Sequence, residues 1–428
     1  MKELQEYITK LASSRELRTK FGFVLAMVAV YRFLAHIPVP FVSVAQIQSI
    51  FSGNQALSFL NILSGGTLAN FSLAAVGINP FITASIVMSL AAMVIPSLKE
   101  MQKESEAGRE KFNQYTRLLS VPLAIAQSIS VLALLTTNGL LQNTSPLAII
   151  TIVVTLVAGA MVMMWLGELI TMYGIGNGIS IILLISILSQ APVLFAQFMA
   201  GGTLDMFTIA TMTVVLLVVI ALIVVVNEGV RRVPIQYAKR VRGSRMYGGQ
   251  QSFLPVKVNV SGVMPIIFAV TLMIAPSVIA KGLEFTQNPT LVAFGQKLTL
   301  WFDQTSISYM VVYFVIVFAF TFFSALLYFN AKDISDELKK SGAFVPGIRP
   351  GTATKKYLEF VVTRITFVGA VFLSLLAVLP LVAQRMTGIT SLAIGGTSLL
   401  IVVSVILETT KQMESYTVEQ NYDKYVGG

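Results

Sequence analysis

Residues 57–96 read LSFLNILSGGTLANFSLAAVGINPFITASIVMSLAAMVIP. The second part, 75–96, is predominantly apolar and about 20 residues long, the length an α-helix needs to cross a hydrocarbon core ~30 Å thick. The first part, 57–73, is mildly apolar but carries Asn61, Ser64, Gly65, Gly66, Thr67 and Asn70. It is too short and polar to cross alone, and its two adjacent glycines weaken a helix by about 1 kcal/mol each. Two placements stay open for it. One is a re-entrant half-helix, tolerated only inside protein or a watery cavity. The other is an interfacial helix on the outer surface.

The pattern of 75–96 recurs along the chain. Of 428 residues, 55% are hydrophobic and 12% are charged, with a mean hydropathy of +0.79. Soluble domains carry about 25% charged residues, so a water-facing surface is not provided for. Apolar blocks fall at 21–38, 75–96, 118–137, 146–166, 178–199, 207–227, 260–280, 307–329, 361–384 and 390–407. They are too long for strands, and lipid admits only helices or closed barrels. The expected fold is an all-α polytopic membrane protein with ten transmembrane helices. Residues 1–20 are charged and amphipathic, which points to a cytoplasmic N-terminal segment and not to a secretory signal. With no cysteine there is no disulfide framework and no thiolate metal site.

Basic residues set the orientation. Of the 30 Lys and Arg, 26 lie in alternate segments: the N-terminus, 97–117, 228–259, 330–364 and the tail. The opposite segments hold Lys281, Lys297 and Arg385, and Arg32 lies within the first span. By the positive-inside rule the first set, with both termini, is cytoplasmic. The spans then divide into halves, 21–200 and 201–410, followed by a tail, 411–428. Five spans per half make the halves inverted relative to each other, an arrangement that builds a central pathway at their interface. Loops 228–259 and 330–360 are about 30 residues each, longer than connectors need to be. They read either as a topology signal alone or as docking surfaces for anionic lipid, RNA or an acidic protein face. Aromatic interleaving is sparse, so sequence-specific nucleic-acid binding is not expected.

Catalytic patterns are missing. The one histidine, His36, lies near the outer end of the first span with no evident partner. No acid falls inside a span; Glu168, Glu228 and Glu408 sit at cytoplasmic ends. Ion-coupled transport needs intramembrane ionisable groups, which disfavours a small-solute secondary transporter. An intramembrane protease lacks its nucleophile–base pair. Gly174-Ile175-Gly176-Asn177-Gly178 lacks the Lys-Ser/Thr continuation of a phosphate loop. The chain reads as no enzyme, with no metal and no cofactor. Arg32, the charge within the first span, either snorkels or bonds loop carbonyls inside the bundle.

Six collinear motifs carry a resemblance. They are Tyr31-Arg32 with His36-Ile37-Pro38-Val39-Pro40; Ser64-Gly65-Gly66 followed by Gly77-Ile78-Asn79-Pro80-Phe81-Ile82-Thr83-Ala84-Ser85-Ile86; and Gly174-Ile175-Gly176-Asn177-Gly178-Ile179-Ser180. Further along come Arg231-Arg232 with Tyr237-Ala238-Lys239-Arg240 and Leu254-Pro255-Val256-Lys257-Val258-Asn259, then Gly347-Ile348-Arg349-Pro350-Gly351, then Gly395-Gly396-Thr397-Ser398-Leu399-Leu400-Ile401. Together they resemble the SecY family, the channel subunits of protein-conducting translocons.

The resemblance implies that 57–73, with Asn61, Ser64, Gly65, Gly66 and Thr67, is a re-entrant plug sealing an external funnel. It implies a constriction ring of Ile82, Ile86, Ile179, Leu183, Ile267 and Ile401. Residues 82 and 86 share a helix face, and a narrow apolar ring resists water by dewetting. Spans 75–96 and 260–280 become the sides of a lateral gate, with Ser85, Ser89 and Gln127 offering weak interhelical hydrogen bonds. Pro265 and Pro276 are expected to weaken the second of these helices. Lys239, Arg240, Arg245 and Arg349 are implied to dock the SecA ATPase or the ribosome. Other implied partners are SecE-like and SecG-like small membrane subunits, signal peptides and unfolded preproteins, in the bacterial cytoplasmic membrane. Leu68-Ala69-Asn70-Phe71 stands where the family often carries a charge, so the seal is expected to depend more on packing. Phe41 replaces a usual glycine, and Ser244 a frequent arginine. An accessory member of the family with restricted substrates is the nearest alternative.

Overall fold

The computed structural model describes residues 15–426 apart from 43–46, 48–60, 62–63, 105, 138–144, 201–205, 238–239, 243–244, 248–250, 261, 263, 285–288, 304–305 and 388–389. In chain order the elements are α1 (Arg15–Leu34), α2 (Asn79–Val94), α3 (Pro96–Glu104), α4 (Glu106–Thr137), α5 (Pro146–Tyr173), α6 (Gly178–Ala200), α7 (Met206–Glu228), β1 (Val230–Tyr237), β2 (Arg240–Arg242), β3 (Arg245–Tyr247), β4 (Gln251–Lys257), α8 (Met264–Glu284), α9 (Pro289–Trp301), α10 (Ile307–Tyr328), α11 (Ala331–Lys340), β5 (Ala343–Phe344), α12 (Thr352–Thr387) and α13 (Thr390–Val426). Each of the ten apolar blocks overlaps one of these helices. Among the described residues, four stretches are long and apolar enough to cross a membrane: Glu106–Ala133, Pro146–Tyr173, Ile307–Ala325 and Thr352–Met386. The pair α2 and α3, bent by 114°, is a fifth candidate as one broken span.

The chain divides into two compact units, Met1–Leu204 with Val405–Gly428, and Asp205–Ser404. In the first, α5 packs against α1, α4 and α6. Its start is set by Ser145, whose side chain accepts from Ala148 N at 3.3 Å, and by Pro146 in the first turn. Ile152, Leu156 and Ala160 of α5 meet Ala124, Leu132 and Leu135 of α4 in one apolar core. Between the same two helices, Arg117 Nε donates to Glu168 Oε1 at 2.5 Å, with the two side chains 43% and 17% exposed. Because Arg117 still reaches solvent, Glu168→Ala is expected to lower stability by about 1 kcal/mol, not by the several kcal/mol of a sealed pair. Denaturant titration in detergent measures this, and a loss above about 3 kcal/mol would show Arg117 to be trapped.

In the second unit α10 and α12 pack along each other, with Phe318 edge-on to Phe367 at 5.6 Å. The two long basic loops fold into a single module. Strand β1 pairs antiparallel with β4, from Val230↔Lys257 to Gln236↔Gln251, and with β5 at Gln236↔Phe344. Val233, Ile235 and Val256 from the first loop share a core with Ala331, Leu338, Ala343 and Val345 from the second, closed by Leu358 and Val362 of α12. No strand was expected here. Pro234 and Pro255 interrupt the pattern, yet β4 lies at the sheet edge and β5 does not reach as far as Pro234, so no ladder bond is lost. One expectation for α8 is corrected: Pro265 lies in its first turn, where a missing N–H breaks nothing, and only Pro276 lies in its interior.

Candidate functional site

The polar residues of 61–72 are consumed locally. Asn61 Oδ1 accepts from Ala69 N at 2.8 Å, and Asn61 O accepts from Gly66 N at 2.8 Å and Ser64 Oγ at 2.9 Å. Thr67 Oγ1 donates to Ser64 O at 2.9 Å. Gly65 and Gly66 have φ of +74° and +84°, a conformation that ends a helix and suits glycine. The expected half-helix is therefore not continuous: Ser64–Asn70 is a run of turns, while 57–60 and 62–63 lie outside the described residues. This knot is anchored at its C-terminal end. Val39 N donates to Phe71 O at 2.9 Å and Leu73 N to Ile37 O at 2.8 Å. Phe71 is 1% exposed within the α4–α5 core, and Leu68 and Ala69 pack against that core. Arg32 Nη1 points to Gly65 O at 3.5 Å, the loop-carbonyl alternative among the two readings of its charge.

The ring candidates of the first unit sit where backbone contacts fix helix starts. Asn177 Oδ1 accepts from Ile179 N at 3.0 Å and Ser180 N at 3.3 Å, capping α6. Gly178 N donates to Thr171 Oγ1 at 2.9 Å. A Cβ at Gly167 would lie 3.3 Å from Ile78 Cδ1 and 3.5 Å from Ile179 Cγ1, so the starts of α2 and α6 meet on one face of α5. Ile82 and Ile86 are 4% and 8% exposed, whereas Val87 and Leu90 on the same helix are above 40%. Leu183 is buried and Ile179 half-buried. In the second unit Ile267 on α8 and Ile401 on α13 are buried. Of the gate candidates, Ser85 and Ser89 on α2 and Gln127 on α4 are half-buried. Beside Gln127, Ser128 Oγ is buried without a hydrogen-bond partner.

The basic candidates occupy the module of the second unit. Arg240 and Arg245 lie on the hairpin β2–β3, in the register Arg240↔Tyr247 and Arg242↔Arg245. Lys239 lies outside the described residues. Arg349 is exposed on a turn whose backbone is pinned on both sides: Thr354 Oγ1 donates to Arg349 O at 2.9 Å, and Ser335 Oγ to Gly351 O at 2.8 Å.

A family model described as SecY matches residues 72–410. The protein translocase subunit SecY of Mycobacterium bovis is 38% identical over 442 residues, covering 99% of this chain and 100% of that relative. The chain belongs to the SecY family. Solved structures share its fold. One concerns a SecY protein whose plug domain is described as stabilising the closed state of the translocation channel and maintaining a membrane seal. It has a TM-score of 0.66 at 18% identity, covering 95% of this chain and 93% of that one. Another, Sec61 in the canine ribosome–channel complex from the endoplasmic reticulum, has a TM-score of 0.60 at 16% identity and the same coverage.

For this SecY-family chain the sequence reading missed Tyr31, Ser186 and Gln190, which touch the Ser64-Gly65-Gly66 turn. Tyr31 was quoted in a motif and given no role. The available signal was chemical: a tyrosine inside an apolar span needs a partner for its hydroxyl.

Proposed function

We propose that the chain is the central protein-conducting channel of a bacterial Sec-type translocase. It crosses the cytoplasmic membrane ten times, as two inverted halves with both termini inside. It passes unfolded secretory chains across the membrane and releases apolar segments sideways into lipid. The observation that supports this reading is that the ring candidates Ile82, Ile86, Leu183, Ile267 and Ile401 are buried apolar side chains, while Val87 and Leu90 on α2 are exposed. A ring of such groups excludes water and ions by dewetting and yields around a passing chain. The 57–73 segment acts as the plug, and Ser85, Ser89 and Gln127 line the gate, where hydrogen bonds of ~0.6–2 kcal/mol are weak enough to open. The chain performs no catalysis itself. Energy comes from a SecA-type ATPase or a translating ribosome docked on Lys239, Arg240, Arg245 and Arg349, and small SecE-like and SecG-like subunits clamp the bundle.

Crosslinking of a stalled secretory chain tests the assignment. Cysteines introduced at Ile82, Ile86, Ile179 and Ile401 are expected to form adducts with the stalled chain, and lipid-facing Val87 and Leu90 are not. Labelling of the lipid-facing pair alone would refute the ring.

A further inference from the structure

The knot formed by Asn61 and Ser64–Asn70 is also bonded by the hydroxyl of Tyr31. Tyr31 on α1 is 3% exposed, and its Oη lies 2.5 Å from Ser186 Oγ on α6 and 3.2 Å from Ser64 O. Each hydroxyl carries one proton: Ser186 Oγ donates either to Ile182 O at 2.7 Å or to Tyr31 Oη, and in the second arrangement Tyr31 donates to Ser64 O. The fit is close on every side. A Cβ at Gly65 would lie 2.8 Å from Tyr31 Oη and 2.9 Å from Ser186 Cα, and one at Gly66 would collide with Gln190 Nε2. The bonds of Asn61, Ser64 and Thr67 are internal to the knot and travel with it. Its attachment at 71–73 is to residues 37–39, the segment that follows α1. The Tyr31–Ser186 contact thus joins α1 to α6, the helix that carries Ile179 and Leu183, and the knot is tied to this pair through Ser64 O. Ser186 lies three residues after Leu183, on the same side of the helix.

We propose that the Tyr31–Ser186 hydrogen bond is a latch that positions the knot in the resting channel and couples it to the constriction. Outward movement of α6 at Leu183 stretches the contact and frees the knot, so the ring and the seal open together. The inference rests on reading 57–73 as the plug.

Tyr31→Phe and Ser186→Ala, each in the full-length chain in its own membrane, remove one hydroxyl apiece. Two readouts are taken per unit of membrane-inserted chain: resting anion leak, and the export ratio of a reporter with a weakened signal to one with an intact signal. One net buried hydrogen bond shifts an equilibrium about three- to tenfold, and each variant is expected to raise both readouts by that factor. Tyr31→Phe removes the bonds to both Ser186 and Ser64 O, and Ser186→Ala only the first, so the double variant is expected to match Tyr31→Phe. A merely destabilised chain lowers both exports alike and leaves the ratio unmoved. Unchanged leak and ratio in both variants, or effects that multiply in the double variant, overturn the latch. Deletion of 61–70 separates this from the underlying reading. If the deletion leaks and the point variants do not, the plug stands and the latch fails; if the deletion stays sealed, both fail.

Discussion

Gly178→Ala is expected to remove most of the folded chain from the membrane. The new methyl group would lie 1.9 Å from Gly167 O and 2.8 Å from both Gly167 C and Ile170 Cβ. Two of these atoms are α5 backbone, which cannot swing aside as a side-chain tip does. Relief requires α5 and α6 to separate, and separation breaks the bond from Gly178 N to Thr171 Oγ1. Overpacking of this kind costs about 1–3 kcal/mol and an orphaned buried N–H about 1–3 kcal/mol more, a large share of a stability of about 5–15 kcal/mol. Gly342→Ala is the control. There φ is +71° and a Cβ meets nothing within 4 Å, so only the conformational cost of about 1 kcal/mol applies. Thermal unfolding in detergent and the steady-state amount in the membrane are the measurements. Equal losses in the two variants would mean that the α5–α6 backbone contact is absent. The functional consequence is local, because Ile179 is the next residue and its position depends on this contact.

The elements that hydropathy reports best are those whose only requirement is length in lipid. All ten blocks overlap helices, and among the described residues four, or five with the bent pair, are long and apolar enough to cross a membrane. Helix ends were not legible: α12 and α13 run for 36 and 37 residues, far past the blocks at 361–384 and 390–407, because a helix continues in water once packing supports it. The segment 57–73 was legible as something other than a span, from its glycines and amides. Its geometry was not, since composition does not tell which carbonyl Asn61 or Thr67 will find. The sheet was hidden for a different reason. Val233, Ile235 and Val256 alternate with charged and proline residues over short strands, and their core partners Leu338 and Leu358 lie about 100 residues further on. Burial created by such a long-range contact leaves little periodicity in either loop alone.

If the module docks the proposed SecA-type motor, Arg349→Glu is expected to reduce its binding by at least about tenfold while leaving the fold intact. Both halves of this expectation follow from how the turn is built. The bonds that hold it use the carbonyl of Arg349 and that of Gly351, from Thr354 and Ser335, and none of these changes with the side chain. The side chain is exposed, so reversal of its charge buries nothing and breaks no core contact. What changes is the potential of the module that also carries Arg231, Arg232, Arg240, Arg242 and Arg245. A docking face of one sign steers an oppositely charged partner, and a charge lost from a desolvated contact costs about 2–5 kcal/mol. Motor affinity at two salt concentrations, beside the unfolding temperature of the same preparation, gives the test. The deficit is expected to shrink as salt rises, since screening weakens attraction in the parent and repulsion in the variant alike. Unchanged affinity with an unchanged unfolding temperature would move the docking face away from this turn, leaving the β2–β3 hairpin as the part of the module that the motor reads.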